Sequence, residues 1–96
     1  MPTNSAFKAL ADPTRRQILK MLGHGELSAG DIAKEFDISA PSMSHHFGVL
    51  KEADLVSTRR VGQQILYSLN STVFEELLTV LFDLFEKPGT GRRKKR

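Results

Sequence analysis

The chain predicts a mainly α fold that carries one β-hairpin and closes on a wide apolar helix. Three observations predict it. Apolar residues recur at helical spacing through most of the first fifty residues. Two strand-length runs then follow, with Gly62 between them. The last long stretch is nine-thirteenths apolar from Val73 to Phe85.

Phe7 to Leu10 form a short apolar helical stretch. Asp12-Pro13 opens the next helix, because Asp caps well and Pro at the first helical position loses no hydrogen bond. Its stripe is Ile18, Leu19, Met21 and Leu22, and Gly23 and Gly25 end it. Ser28 caps a third, short helix, with Asp31 placed for a capping-box variant and Ile32, Ala33 and Phe36 facing inward. Asp37-Ile38 leads tightly to Ser39, a further N-cap. Met43, Phe47 and Leu50 form the buried stripe of the helix that follows, and Pro41, Ser44, His45 and Gly48 lie opposite.

Leu55 to Arg60 and Gln64 to Leu69 are rich in Val, Ile, Leu, Tyr, Ser and Thr and predict the hairpin. Its tip holds Arg59, Arg60, Gly62, Gln63 and Gln64. The last helix is expected from about Ser71 to Lys87, where Pro88-Gly89 stops it. The order helix, helix, helix-turn-helix, hairpin, helix is that of a winged helix-turn-helix, expected over residues 1–87. Residues 88–96 lack apolar side chains and are expected to form a disordered basic tail.

Composition excludes several function classes. Ninety-six residues make one domain. Such a chain is marginal alone, so oligomerisation is the expected source of extra stability. No cysteine is present, which removes disulfides, thiolate metal sites and thiol redox sensing. No segment resembles a signal peptide or a membrane span, so a cytoplasmic protein without membrane insertion is expected. No nucleophile–base constellation or phosphate-cradling loop is discernible, so no enzyme is expected. The three histidines are His24, His45 and His46, two of them adjacent on a helix where neighbours do not share a face. No metal and no cofactor are therefore expected.

The net charge of +3 conceals the distribution. Five of the fourteen basic residues lie in 92–96, and without them nine basic residues face eleven acidic ones. A nucleic-acid surface on the body must be a local patch.

The helix that starts near Ser39 suits such a patch. In a helix-turn-helix the second helix enters the major groove with its N-terminal residues at base edges. Ala40, Pro41, Ser42, Ser44 and His45 are small or polar, and no carboxylate occurs from residue 38 to 51. Ser44 and His45 are the leading base readers, while Ser39 is read as a cap and His46 as a partly buried, hydrogen-bonded histidine. Arg59, Arg60, Gln63 and Gln64 are expected on flanking backbone or in a minor groove. Adjacent strand residues point to opposite faces, so one arginine can reach DNA while the other packs or pairs. Lys51, Arg15 and Arg16 are weaker candidates for phosphate contacts.

In the last helix the polar positions Glu75, Thr79, Asp83 and Glu86 form one narrow stripe. The apolar arc is wider than the ~100° that a single core contact needs. Phe7, Leu10, Leu77, Leu78, Leu81, Phe82 and Phe85 are the expected homodimer interface.

The runs ALADPTRRQILKML (9–22), ELSAGDIAKEF (26–36), ISAPSMSHHFGVLKEADLV (38–56) and RRVGQQILYSLN (59–70) together resemble the arsenic-repressor (ArsR/SmtB-like) family, its metal-independent autorepressor branch above all. The resemblance covers roughly residues 5 to 85. It implies a homodimer that binds an imperfect palindromic operator in double-stranded DNA and blocks transcription, commonly of its own operon. Sequestration by a protein partner is compatible with it. Two other readings stand beside it: a ligand- or metal-responsive repressor of the same fold, and a protein-interaction module without DNA binding. Asp54 stands where the family usually has Gly, and Phe47 where it usually has Leu. Gly48 inside a helix costs about 1 kcal/mol against Ala, and either permits close backbone approach or loosens the helix.

Overall fold

The computed structural model describes residues 3–85. The expected tail at 88–96 lies outside them, as do Glu86 and Lys87, to which the last helix is expected to run. The elements run α1 (Thr3–Leu10), α2 (Pro13–Leu22), β1 (Leu27–Ser28), α3 (Ala29–Ala33), α4 (Ala40–Glu52), β2 (Val56–Val61), β3 (Gln64–Leu69) and α5 (Ser71–Phe85).

The caps sit where short polar side chains can take orphan amides. Asp12 accepts the Arg15 N–H at 3.0 Å, Ser28 the Asp31 N–H at 3.1 Å and Ser39 the Ser42 N–H at 3.2 Å. The Asp31 carboxylate pairs with Lys34 Nζ at 3.3 Å. Pro13 and Pro41 lie in first turns, where their missing N–H groups cost nothing.

The end of α4 is built by local chemistry. Leu55 donates its N–H to Leu50 O at 3.1 Å and Asp54 donates to Lys51 O at 3.0 Å, the two bonds of a Schellman motif. Asp54 adopts φ +58°, the left-handed conformation that usually calls for glycine. Leu50 and Leu55, which the motif brings together, are fully buried. This turn launches β2 away from α4, and Asp54 makes it in the conformation for which the resemblance leads one to expect glycine.

The sheet differs from the expected two-stranded hairpin. It has three antiparallel strands in the order β1-β3-β2. Leu27 pairs with Tyr67 and Ser28 with Leu66, directly ahead of α3. Two residues are too few to show alternation, and Ser28 also serves as a helix cap, so its local pattern reads as a helix start. Pairing against β3 is a tertiary event.

The core gathers under the sheet and between the helices. Ile18, Ile32, Leu50 and Leu55 are its largest fully buried side chains. Met43, Phe47 and Leu50 face inward as the stripe on α4 predicts. Phe47 stacks on Tyr67 with ring centroids 4.7 Å apart, which joins α4 to β3. Ala6 and Ala9 of α1 and Val73 and Leu77 of α5 belong to the same buried core.

Candidate nucleic-acid interface

One side of α4 is turned to solvent. Ala40, Pro41, Ser42, Ser44, His45, Gly48 and Lys51 are all exposed. They are held outward because Met43, Phe47 and Leu50 occupy the buried side of the same helix. Ser39 Oγ is engaged twice, accepting the Ser42 N–H and donating to Ser42 Oγ at 3.0 Å. Ser42 is thus part of the cap, while Ser44 and His45 stand one turn on with open hydroxyl and imidazole groups. A hydroxyl can donate or accept, and an imidazole nitrogen can meet a base edge or a phosphate.

Ala40, Ser44, Gly48 and Lys51 line an open groove whose far wall is Ile65 and Tyr67 of β3. His45, Gly48 and Lys51 also border a second depression on the same helix. Gln63 and Gln64 lie elsewhere, in a shallow depression with Ser28, Ala29 and Gly30 at the start of α3. The expected readers on α4 and the basic residue Lys51 therefore share one surface, and the tip glutamines flank it.

The two arginines of the wing are divided by the pleat. Arg60 is the cross-strand partner of Ile65, and Thr58 that of Tyr67, so Arg60 stands on the sheet face that looks toward α4. Its Nε donates to Gly62 O at 3.3 Å, a weak contact within the tip. Gly62 takes φ +62° there, which closes the two-residue connection between β2 and β3. Arg59 points to the other face. Its Nε and Nη2 each donate to the Glu26 carboxylate at 2.8 Å. The hydrogen bond from Arg59 holds the Glu26 carboxyl below its usual range and raises the guanidinium in return. Of the two expected DNA contacts, Arg59 is the one that pairs within the chain.

Two weaker phosphate candidates have other employment. Arg15 is buried at 9% exposure and donates to the Ala9 carbonyl at 2.7 Å and the Lys8 carbonyl at 3.2 Å. A side chain committed to the last carbonyls of α1 is unavailable to a phosphate. Arg16 is exposed and donates to the Leu10 carbonyl at 2.8 Å. The periodicity of α2 could not show this, because the bonds run to a different helix.

His46 is half-buried, as its place beside the Phe47 stripe predicts. Its Nδ1 lies 3.2 Å from Arg15 Nη1 and 3.8 Å from Asp12 Oδ2. The Asp12 carboxyl is held below its usual range, first by the Arg15 N–H that it accepts. The sequence marks Asp12 only as a cap; the cluster it forms with Arg15 and His46 is not legible there, because Arg15 and His46 are 31 positions apart.

Among the described residues no group of three or more His, Asp or Glu side chains is gathered as a metal site would require. No described helix is long and apolar enough to cross a membrane.

The expected interface on α1 and α5 is unequal in exposure. Leu78, Phe82 and Phe85 are exposed, Phe82 at 60% and Phe85 at 80%, and Phe7 is exposed on α1. Leu10 and Leu81 are half-buried. Leu77 departs from the expectation: at 5% exposure it packs beside Val73 inside the core of its own chain. Leu84, not singled out from the sequence, is 70% exposed.

A capped helix, free of carboxylates from its cap to Lys51 and laid outward beside a hairpin that carries Arg60 at its tip, defines a winged helix-turn-helix DNA-binding regulator. Comparison with known proteins agrees. Residues 10–59 match a family model described as a helix-turn-helix domain. The transcriptional repressor SdpR of Bacillus subtilis (strain 168) is 49% identical over 84 residues, which cover 88% of this chain and 93% of SdpR. An arsenical resistance operon repressor of Staphylococcus xylosus is 42% identical over 67 residues, 70% of this chain and 64% of that protein. Among solved structures, an ArsR-like transcriptional regulator from Rhodococcus sp. RHA1 superposes with a TM-score of 0.77 at 28% identity, covering 88% of this chain and 79% of that one. The chain belongs to the ArsR family and is a DNA-binding transcriptional repressor, not an enzyme.

Proposed function

We propose that the repressor acts as a homodimer on an imperfect palindromic operator, its own upstream DNA being the first candidate. Ser44 and His45 of α4 meet base edges, with Ala40, Pro41 and Ser42 letting the helix backbone come close. Lys51, Arg60, Gln63 and Gln64 hold the flanking backbone or minor groove. Arg59 joins them when phosphate competes with Glu26. The observation that carries this reading is the outward side of α4, where every expected reader is exposed and no carboxylate intervenes from residue 38 to 51.

The homodimer rests on α5. Leu78, Phe82, Leu84 and Phe85 are exposed along it. Each large apolar side chain left in water forgoes about 1.5–3 kcal/mol. A two-fold partner that covers them also sets the two α4 helices a fixed distance apart, which reading a palindrome requires, at roughly 34 Å for half-sites one helical turn apart.

The test is fluorescence anisotropy with a duplex from upstream of the gene and a shuffled duplex, at two salt concentrations. Tighter binding to the native duplex that survives higher salt, and is abolished by Ser44→Ala with His45→Ala, supports the reading. Discrimination that persists undiminished in the double variant would remove both residues from base recognition.

A further inference from the structure

Arg15 spends its guanidinium in three directions. Nε donates to Ala9 O at 2.7 Å, Nη2 to Lys8 O at 3.2 Å, and Nη1 reaches His46 Nδ1 at 3.2 Å. Ala9 and Lys8 lie in the last turn of α1, Arg15 stands in the first turn of α2, and His46 belongs to α4. One buried side chain therefore joins three helices. A guanidinium can only donate, so this contact is a hydrogen bond only with Nδ1 of His46 as acceptor, the tautomer that carries its proton on Nε2. Lysine could not substitute, because a single ammonium lacks the rigid fork that serves three acceptors at once.

The neighbourhood reinforces this geometry. Asp12 accepts the Arg15 backbone N–H at 3.0 Å, which fixes where the Arg15 side chain begins. His46 adjoins His45 and follows Ser44 by two positions on the same helix, so a contact that fixes the rotation of α4 at His46 fixes where Ser44 and His45 face. The ring centroids of His45 and His46 are 5.7 Å apart. The anchored helix α1 carries the exposed Phe7.

We propose that Arg15 and His46 are a positioning pair that sets the rotation of α4 against α1, and through it the base discrimination of Ser44 and His45. Neither residue touches DNA. The proposal rests on the reading that α4 meets base edges. Its distinctive consequence is that losing the pair weakens discrimination between sequences far more than it weakens the phosphate-driven attraction to any duplex.

The experiment compares wild type, His46→Leu, His46→Asn and Arg15→Lys in binding a duplex selected by the wild type from a random library and a shuffled duplex. His46→Leu removes the acceptor and leaves Nη1 unpaired. It is expected to lower affinity for the selected duplex roughly tenfold, the scale of one lost hydrogen bond to a charged group, with less than about a twofold change on the shuffled one. His46→Asn supplies a carboxamide oxygen near the Nδ1 position and is expected to restore most of the discrimination. Arg15→Lys is expected to behave like His46→Leu.

Nitrogen-15 NMR of the wild-type histidines gives a readout that does not depend on any variant folding. It is expected to show His46 protonated on Nε2 with a free, hydrogen-bonded Nδ1. A proton on Nδ1 would overturn the pair. So would unchanged discrimination in His46→Leu when the wild type discriminates. A wild type that selects no sequence at all would instead overturn the base-reading assignment of α4, and the positioning role with it.

Discussion

Arg59 on β2 and Glu26, 33 positions earlier and just ahead of β1, are joined by two hydrogen bonds of 2.8 Å. The pair spans β3, which lies between β1 and β2 in the sheet. It straps the wing to the body on the face turned away from α4. Its exposure means solvent screens it, so it is a movable contact rather than a source of stability.

Replacing Glu26 by Gln is therefore expected to release Arg59 for phosphate. Binding to a shuffled duplex should tighten, and the salt slope should steepen by about 0.9 for each phosphate newly neutralised. Salt-dependent anisotropy checks this. A shallower slope would mean that the strap holds the wing where DNA needs it.

The apolar side of α5 yields a second prediction. Phe82→Asp with Phe85→Asp places charges on two of the most exposed apolar positions. Sedimentation should show monomers with unchanged helical circular dichroism, since neither residue belongs to the core. Operator affinity should fall with the loss of the second α4. A persistent dimer would move the interface off these residues.

Gly48 lies on the exposed side of α4, and a Cβ built there meets nothing within 4 Å. Gly48→Ala should therefore stabilise the protein by about 1 kcal/mol in urea unfolding. Should DNA affinity fall at the same time, the glycine serves close approach of the helix backbone to DNA. Equal or better affinity would mean that it only loosens the helix.

Asp12 gives a pH prediction with a definite sign. Its carboxyl titrates lower in the folded chain than in the unfolded one, first because it accepts the Arg15 N–H. The stabilisation it contributes is fully present above the unfolded value of about 3.9 and is lost as pH falls through the lower folded value. Asn caps as well as Asp but does not titrate. The stability gap between wild type and Asp12→Asn should thus close as pH falls below about 4. Asp12→Ala should cost about 1 kcal/mol at neutral pH by removing the cap. Urea unfolding at pH 7 and pH 3 measures both.

Much of what repeats locally or acts within a few residues is legible in the order of the amino acids. Asp12, Ser28 and Ser39 announce helix starts because their side chains bond amides three positions on. Met43, Phe47 and Leu50 announce their buried side because helical geometry puts them on one stripe. The exposed readers Ser44 and His45 follow from that stripe by exclusion. Contacts between distant parts of the chain arise only on folding. β1 exists because β3 returns to pair with it. Leu77 is core and Phe82 surface because of how α5 lies on the domain, which the apolar arc alone does not orient. Arg59 meets Glu26, and Arg15 meets His46, because folding brings together groups 33 and 31 positions apart. Periodicity records which side of an element is buried, but it carries no record of which partner a charged group finds there.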